Sequence, residues 1–175
     1  MTTTATMKPL IAKLADAMNR YEILAFDEDD YRELGKPCTA AQLAMAEQDL
    51  GQSLPPSYRA FLELHNGWTD FIREAPVLAV EARHKPWFRR RAKEIRDHQR
   101  SFDNPDFLKH GFLILAHPDV STVLYLDKTK PTGNGELEVV AHCLREGEFG
   151  RYPNLEAYFQ DHLADYERMI EEEKR

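Results

Sequence analysis

Between Phe112 and Cys143 the chain has room for only one kind of sheet. Three short apolar runs, Phe112 to Ala116, Thr122 to Leu126 and Leu137 to Cys143, are separated by Asp119-Val120-Ser121 and by a turn at Gly133-Asn134-Gly135. A parallel crossover needs a dozen or more residues, and neither gap is that long, so the runs pair antiparallel. In the last run Leu137, Val139 and Ala141 fall on one face, and Val140 and His142 on the other. Helical patterns precede and follow these strands. The expected fold is therefore α+β, with N-terminal helices, a central mostly antiparallel sheet and a C-terminal helix, rather than a doubly wound sheet. A length of 175 residues suits a single domain.

The helices are marked by their stripes and punctuation. Met7, Leu10, Ile11, Leu14, Met18, Tyr21 and Leu24 recur in steps of three and four, which predicts a helix with Pro9 in its first turn. Thr39 with Gln42 forms a capping box, and Gly51 follows Leu50 where a C-terminal cap needs left-handed geometry. Pro56 suits the first position of a third helix, whose inner face is Tyr58, Phe61 and Leu62 and whose end is Asn66-Gly67. Val77 to Val80 reads as a short strand. A helix after Pro86 carries Phe88, Ala92, Ile95 and Phe102 on its apolar face. Asn154 is the expected N-cap of a final helix with Leu155, Phe159, Leu163, Tyr166 and Ile170 inward, and 171–175 are expected to fray.

Chemistry-bearing patterns are sparse. There is no Gly-x-Ser-x-Gly elbow, phosphate loop or His-Glu-x-x-His helix. The best metal candidate, His117 and Asp119 with His142 and Cys143, lacks a recognised ligand spacing. Cys143 and His142 are adjacent strand residues whose side chains diverge, which disfavours a nucleophile–base pair. Cys38 and Cys143 are read as reduced thiols of a cytoplasmic protein. The first seven residues lack the basic-then-apolar pattern of a secretory leader, and no apolar run approaches a membrane span. The expectation is a non-enzymatic protein without cofactor or metal.

Charge is unevenly spread. Residues 83–100 hold eight basic and two acidic side chains, +6, so a chain of net −7 carries −13 elsewhere. Arg89, Lys93, Arg96 and Arg100 form a stripe with three readings: a solvated face paired with its own acidic neighbours, a track for a phosphate backbone, or a patch for an acidic protein. The acidic body makes nucleic-acid binding by the protein as a whole unlikely on charge grounds. Asp27, Glu28, Asp29, Asp30, Glu33, Glu136, Glu138, Glu146 and Glu148 are candidate contacts for a basic partner. Trp68 has two readings, a lid on the core or an exposed anchor in a binding groove.

The segment 39–68 resembles the signature of the SUKH superfamily, which includes yeast regulators of cell-wall assembly and bacterial immunity proteins for polymorphic toxins. The matching residues are Glu47, Leu50-Gly51, Leu54-Pro55, Tyr58, Phe61-Leu62 and Asn66-Gly67-Trp68. The strands up to His142 and the helix from Asn154 extend the resemblance over about 39–165. It implies an α+β domain that binds a protein, for bacterial members a toxin that is neutralised by occlusion. It also implies a division into an N-terminal helical extension (1–36), a core (37–170) and a tail (171–175). The first helix and the basic helix after Pro86 do not follow from the family pattern. The alternative function is a regulatory or scaffolding adaptor of the same fold, holding an acidic partner through the basic helix 86–102. Neither reading sets an oligomeric state.

Overall fold

The computed structural model describes residues 2–27, 32–72, 74–102 and 104–175. Its helices are α1 (Thr4–Phe26), α2 (Ala40–Leu50), α3 (Pro56–Leu64), α4 (Pro86–Ser101) and α5 (Leu155–Glu173). Its strands are β1 (Trp68–Ile72), β2 (Ala75–Val77), β3 (Gly111–His117), β4 (Val120–Gly133), β5 (Glu136–Cys143) and β6 (Gly147–Tyr152). The strands form one sheet in chain order, with every neighbour antiparallel. This is the α+β arrangement expected from the short turns. At the β4–β5 hairpin Asn134 and Gly135 both take positive φ, 51° and 78°, the geometry that lets a two-residue loop follow the strand twist.

The alternation along β3 to β5 sorts side chains to two faces. Phe112, Ile114, Leu124, Leu126, Leu137, Val139 and Ala141 join the larger core, which α1, α3 and α5 cover. Leu113, Ala116, Val123, Tyr125 and Val140 point to the opposite face, where Ile95 of α4, Leu78 and Phe107 meet them. A period of two thus builds two cores from one sheet, except at the register shift in β3, where Ile114 and Leu115 both join the larger core.

The helices follow from their caps and stripes. Thr39 and Gln42 form the capping box at α2, and Gly51 ends that helix at φ 80°. Pro56 opens α3, and Asn154 accepts the Ala157 N–H at the start of α5. One buried polar knot ties three elements. The Glu136 carboxylate accepts the Ser57 N–H (2.9 Å) and the Ser57 hydroxyl (2.7 Å), while Ser57 Oγ accepts the Leu155 N–H (3.1 Å). Burial pushes the Glu136 carboxyl above its usual range despite those bonds. Ser57→Ala removes the hydroxyl donor from the carboxylate, which keeps only the backbone N–H of residue 57 from this pair, and leaves the Leu155 N–H without its acceptor; it should cost about 1–3 kcal/mol in a denaturant titration.

Several local expectations are corrected. Helix α1 starts at Thr4, capped by Thr3, so Pro9 is its sixth residue and not in the first turn; it removes an interior hydrogen bond. Leu24 is exposed, as is Phe102, which sits past the end of α4 while Gln99 takes the buried place on that face. The run 77–80 is a strand only to Val77; Val80 begins a 3-10 turn, Val80–His84. The last helix runs through Glu173, and Lys174 pairs with Glu171 at 2.7 Å. Strands β1 and β6 were not anticipated.

Candidate partner-binding surfaces

The 39–68 signature is built into the frame of the fold. Asn66 accepts the Val80 N–H (2.8 Å) and donates to Glu81 (3.0 Å); Glu81 in turn accepts from Gln42. Burial opposes ionisation of Glu81, but these donors outweigh it and hold the carboxyl below its usual value. Gly67 has φ 92°, and a Cβ there would lie 2.9 Å from the Ala79 nitrogen. Only glycine fits such a close backbone crossing. Glu47 accepts from Arg59 (2.9 Å) and from the Leu54 N–H (3.4 Å), fixing the turn between α2 and α3. Pro55 caps α3, and Leu50, Leu54, Tyr58, Phe61 and Leu62 are core.

Trp68 resolves to one of its two readings. The side chain is 2 % exposed and packs on Phe71 (5.0 Å between rings) and Phe159 (6.3 Å). It is a core residue and not an exposed anchor. Burying that much apolar area is worth more to the fold than its contact with a partner would be.

Among the described residues, the acidic candidates lie on different elements. Asp27 is the exposed C-terminal cap of α1, near the β1 edge. One turn earlier Glu22 pairs with Arg32 (2.6 Å), which also donates to the Asp70 carbonyl of β1 (2.8 Å). Glu28, Asp29 and Asp30 lie outside the described residues. Glu146 and Glu148 flank the turn between β5 and β6, at the opposite edge of the sheet.

At that second edge the strands assemble a charged cluster. The β6 partners of Ala141 and His142 are Gly150 and Glu148, so Phe149 is the extra residue of a β-bulge. The bulge brings Glu148 and Arg151, three positions apart, to the same face. Arg151 donates to Glu148 (2.7 and 2.8 Å), to Asp127 of β4 (3.2 Å) and to Glu138 of β5. One guanidinium thus meets three carboxylates, and the cluster keeps a net charge of −2. Hydrogen bonding from Arg151 holds Glu148 below its usual value. Burial opposes ionisation of Asp127, but bonds from Thr129 and Arg151 prevail and lower its pKa too. The cluster remains reachable from solvent, with the Arg151 and Glu148 side chains 34 % and 39 % exposed. Beside it Phe149 is 61 % exposed on an edge strand.

The basic stripe on α4 is largely answered by its own neighbours. Asp97 pairs with Lys93 (2.6 Å) and Arg100 (3.7 Å), and Arg96 approaches Asp106 at 3.8 Å. Arg89 forms no ion pair among the described residues. Arg91, outside the stripe, anchors the helix by donating to the Val120 carbonyl at 2.7 Å.

The metal candidate does not assemble. His117 Nδ1 accepts the Asp119 N–H at 3.3 Å as a turn residue, and His142 packs on the Phe107 ring at 4.7 Å. Cys143 Sγ lies 3.8 Å from Ser121 Oγ. Among the described residues no three His, Cys, Asp or Glu side chains converge to hold a metal ion. Nor is any described helix long and apolar enough to cross a membrane.

The model of the SMI1/KNR4 family (SUKH-1) matches residues 37–164. The chain belongs to that family. The match begins just before the Thr39 cap and ends within α5, so it takes in the whole sheet, the signature clamp and α4. For this SUKH-1 domain α1 lies outside the match, yet Tyr21 of α1 packs on Tyr166 of α5 at 5.6 Å. No curated protein matches the sequence. Glu138 was among the sequence candidates, whereas Arg151 and Asp127 were missed because their grouping with it depends on three strands meeting.

Proposed function

We propose that this SUKH-1 domain is a non-catalytic binding protein that neutralises a basic toxin domain by occluding it. The observation that carries the reading is the cluster at the β4–β6 edge. It has excess negative charge, a solvent-reachable rim and an exposed aromatic on the edge strand β6. Such a patch suits lysines and arginines arranged to grip phosphate on a nuclease-type toxin. Charge outside 83–100 sums to −13, which would also steer the encounter. Family membership supports a protein-binding role. A standard interface would bury about 1,600 Å² in total.

The adaptor reading, with an acidic partner on α4, is less well supported, because Asp97 already occupies Lys93 and Arg100. The test is to find whether a gene beside this one encodes a toxin-like C-terminal domain and to co-express that domain with this protein. Cells carrying the toxin should survive with this protein, and the two should co-elute in gel filtration. Equal killing with and without it, and no complex, would refute the reading.

A further inference from the structure

We propose that the recess between α4, the 3-10 turn and β3 binds a small amphipathic oxyanion: one carboxylate or phosphate group on an apolar body. The recess has a volume of about 300 Å³. That is at the lower end of the range for small-molecule sites.

Its centre is Arg83. The guanidinium lies over the Phe112 ring at 3.7 Å and near Phe88 at 5.7 Å. It sits beside the Tyr58 hydroxyl, and burial lowers its pKa. Part of the residue reaches the surface, but Nη2 is shielded from solvent and makes no hydrogen bond. No carboxylate among the described residues forms an ion pair with it. Asp49 also lines the recess and attracts the Arg83 cation, but it forms no ion pair with it and is held by His84 at 3.0 Å. A buried cation without a counter-ion is costly, and proteins ordinarily pair one or neutralise it. Here the fold keeps the cation and leaves a recess next to it.

The walls supply the rest. Arg89 and Arg96 line the same recess, Arg89 without an ion pair among the described residues and Arg96 with Asp106 no closer than 3.8 Å. Three arginines lining one recess, Arg83, Arg89 and Arg96, suit a carboxylate or phosphate, which guanidinium groups bind in a fork-like geometry. Phe88, Leu108 and Phe112 add apolar surface. They favour a ligand with an apolar body over a fully hydrated inorganic anion. The site is independent of the acidic cluster on β4–β6, so it stands or falls separately from toxin binding.

The experiment is calorimetric titration of the full chain at low salt with phenyl phosphate, benzoate and inorganic phosphate. Phenyl phosphate or benzoate should saturate one site, and the tighter of the two identifies the preferred head group. Arg83→Met should weaken that binding at least tenfold. Arg89→Gln combined with Arg96→Gln alters exposed side chains, should leave the fold intact, and should weaken binding similarly. Arg90→Gln, outside the recess, should change nothing. No saturation by either organic anion would overturn the proposal. So would wild-type affinity in the Arg89/Arg96 variant, or inorganic phosphate binding as tightly as phenyl phosphate.

Discussion

Trp68→Ala should lower the unfolding free energy by about 3–5 kcal/mol, a third or more of what holds a typical domain together. The indole is enclosed by Phe71 and Phe159, and Phe159 also packs on Phe61 at 5.7 Å. Truncation opens a cavity where β1, α3 and α5 meet. The surrounding aromatics are large and cannot collapse fully into it, so lost transfer energy and lost contacts add. Trp68→Phe keeps most of the volume and should cost clearly less. Guanidinium-chloride unfolding of the three proteins checks the order. A loss below 1 kcal/mol for the alanine variant would mean that Trp68 faces solvent.

Acidification from pH 7 to 4 should remove about 3 kcal/mol through His162 alone. The imidazole is stacked on Tyr158 (5.6 Å), lies 5.0 Å from Phe71, and meets Tyr166 edge-on at 5.1 Å. Its Nε2 is shielded from solvent without a hydrogen-bond partner. Burial pushes its pKa down to about 4, against the pull of Asp165 and Asp161 and with a smaller push from Arg32. The folded state therefore binds fewer protons than the unfolded state between pH 6.5 and 4. Stability is present in full above pH 6.5 and is lost as pH falls through that window. His162→Phe should flatten the profile there. The raised Glu136 works in the opposite sense, since its protonation on acidification relieves buried charge. The comparison with His162→Phe isolates the histidine from it. Chemical denaturation at pH 7, 5.5 and 4 decides it; equal pH slopes in wild type and variant would contradict the assignment.

What the sequence made legible was whatever is encoded locally. The period of two in β5, the Thr39–Gln42 box and the Pro56 start all depend on residues within a few positions, and all appear as expected. Strand β6 escaped because an edge strand needs no buried run. Gly147, Glu148, Phe149, Gly150 and Arg151 look like a loop, and the bulge breaks their alternation. Strand β1 was hidden by Asp70, whose positive φ of 48° interrupts the ladder. Trp68 could be read two ways because its burial is decided by α5, more than eighty residues later. The same limit applies to charge. Nothing in the run 83–100 separates Arg83, enclosed against Phe112, from Lys93, paired in solvent with Asp97. The Asp127–Glu138–Arg151 cluster likewise exists only once three strands are side by side.

The central claim is that the acidic edge of β4–β6 meets a basic protein. The most direct measurement is the affinity of the purified chain for a basic toxin domain that it protects against in co-expression, with Glu138→Lys and Glu148→Lys combined in one variant and Arg89→Glu, Lys93→Glu and Arg96→Glu combined in another. The acidic reversal should weaken binding at least a hundredfold, about 2.7 kcal/mol, with an unchanged circular-dichroism spectrum, while the α4 reversal leaves affinity within a few-fold of wild type. Full affinity after the acidic reversal, or its loss after the α4 reversal alone, would contradict the account.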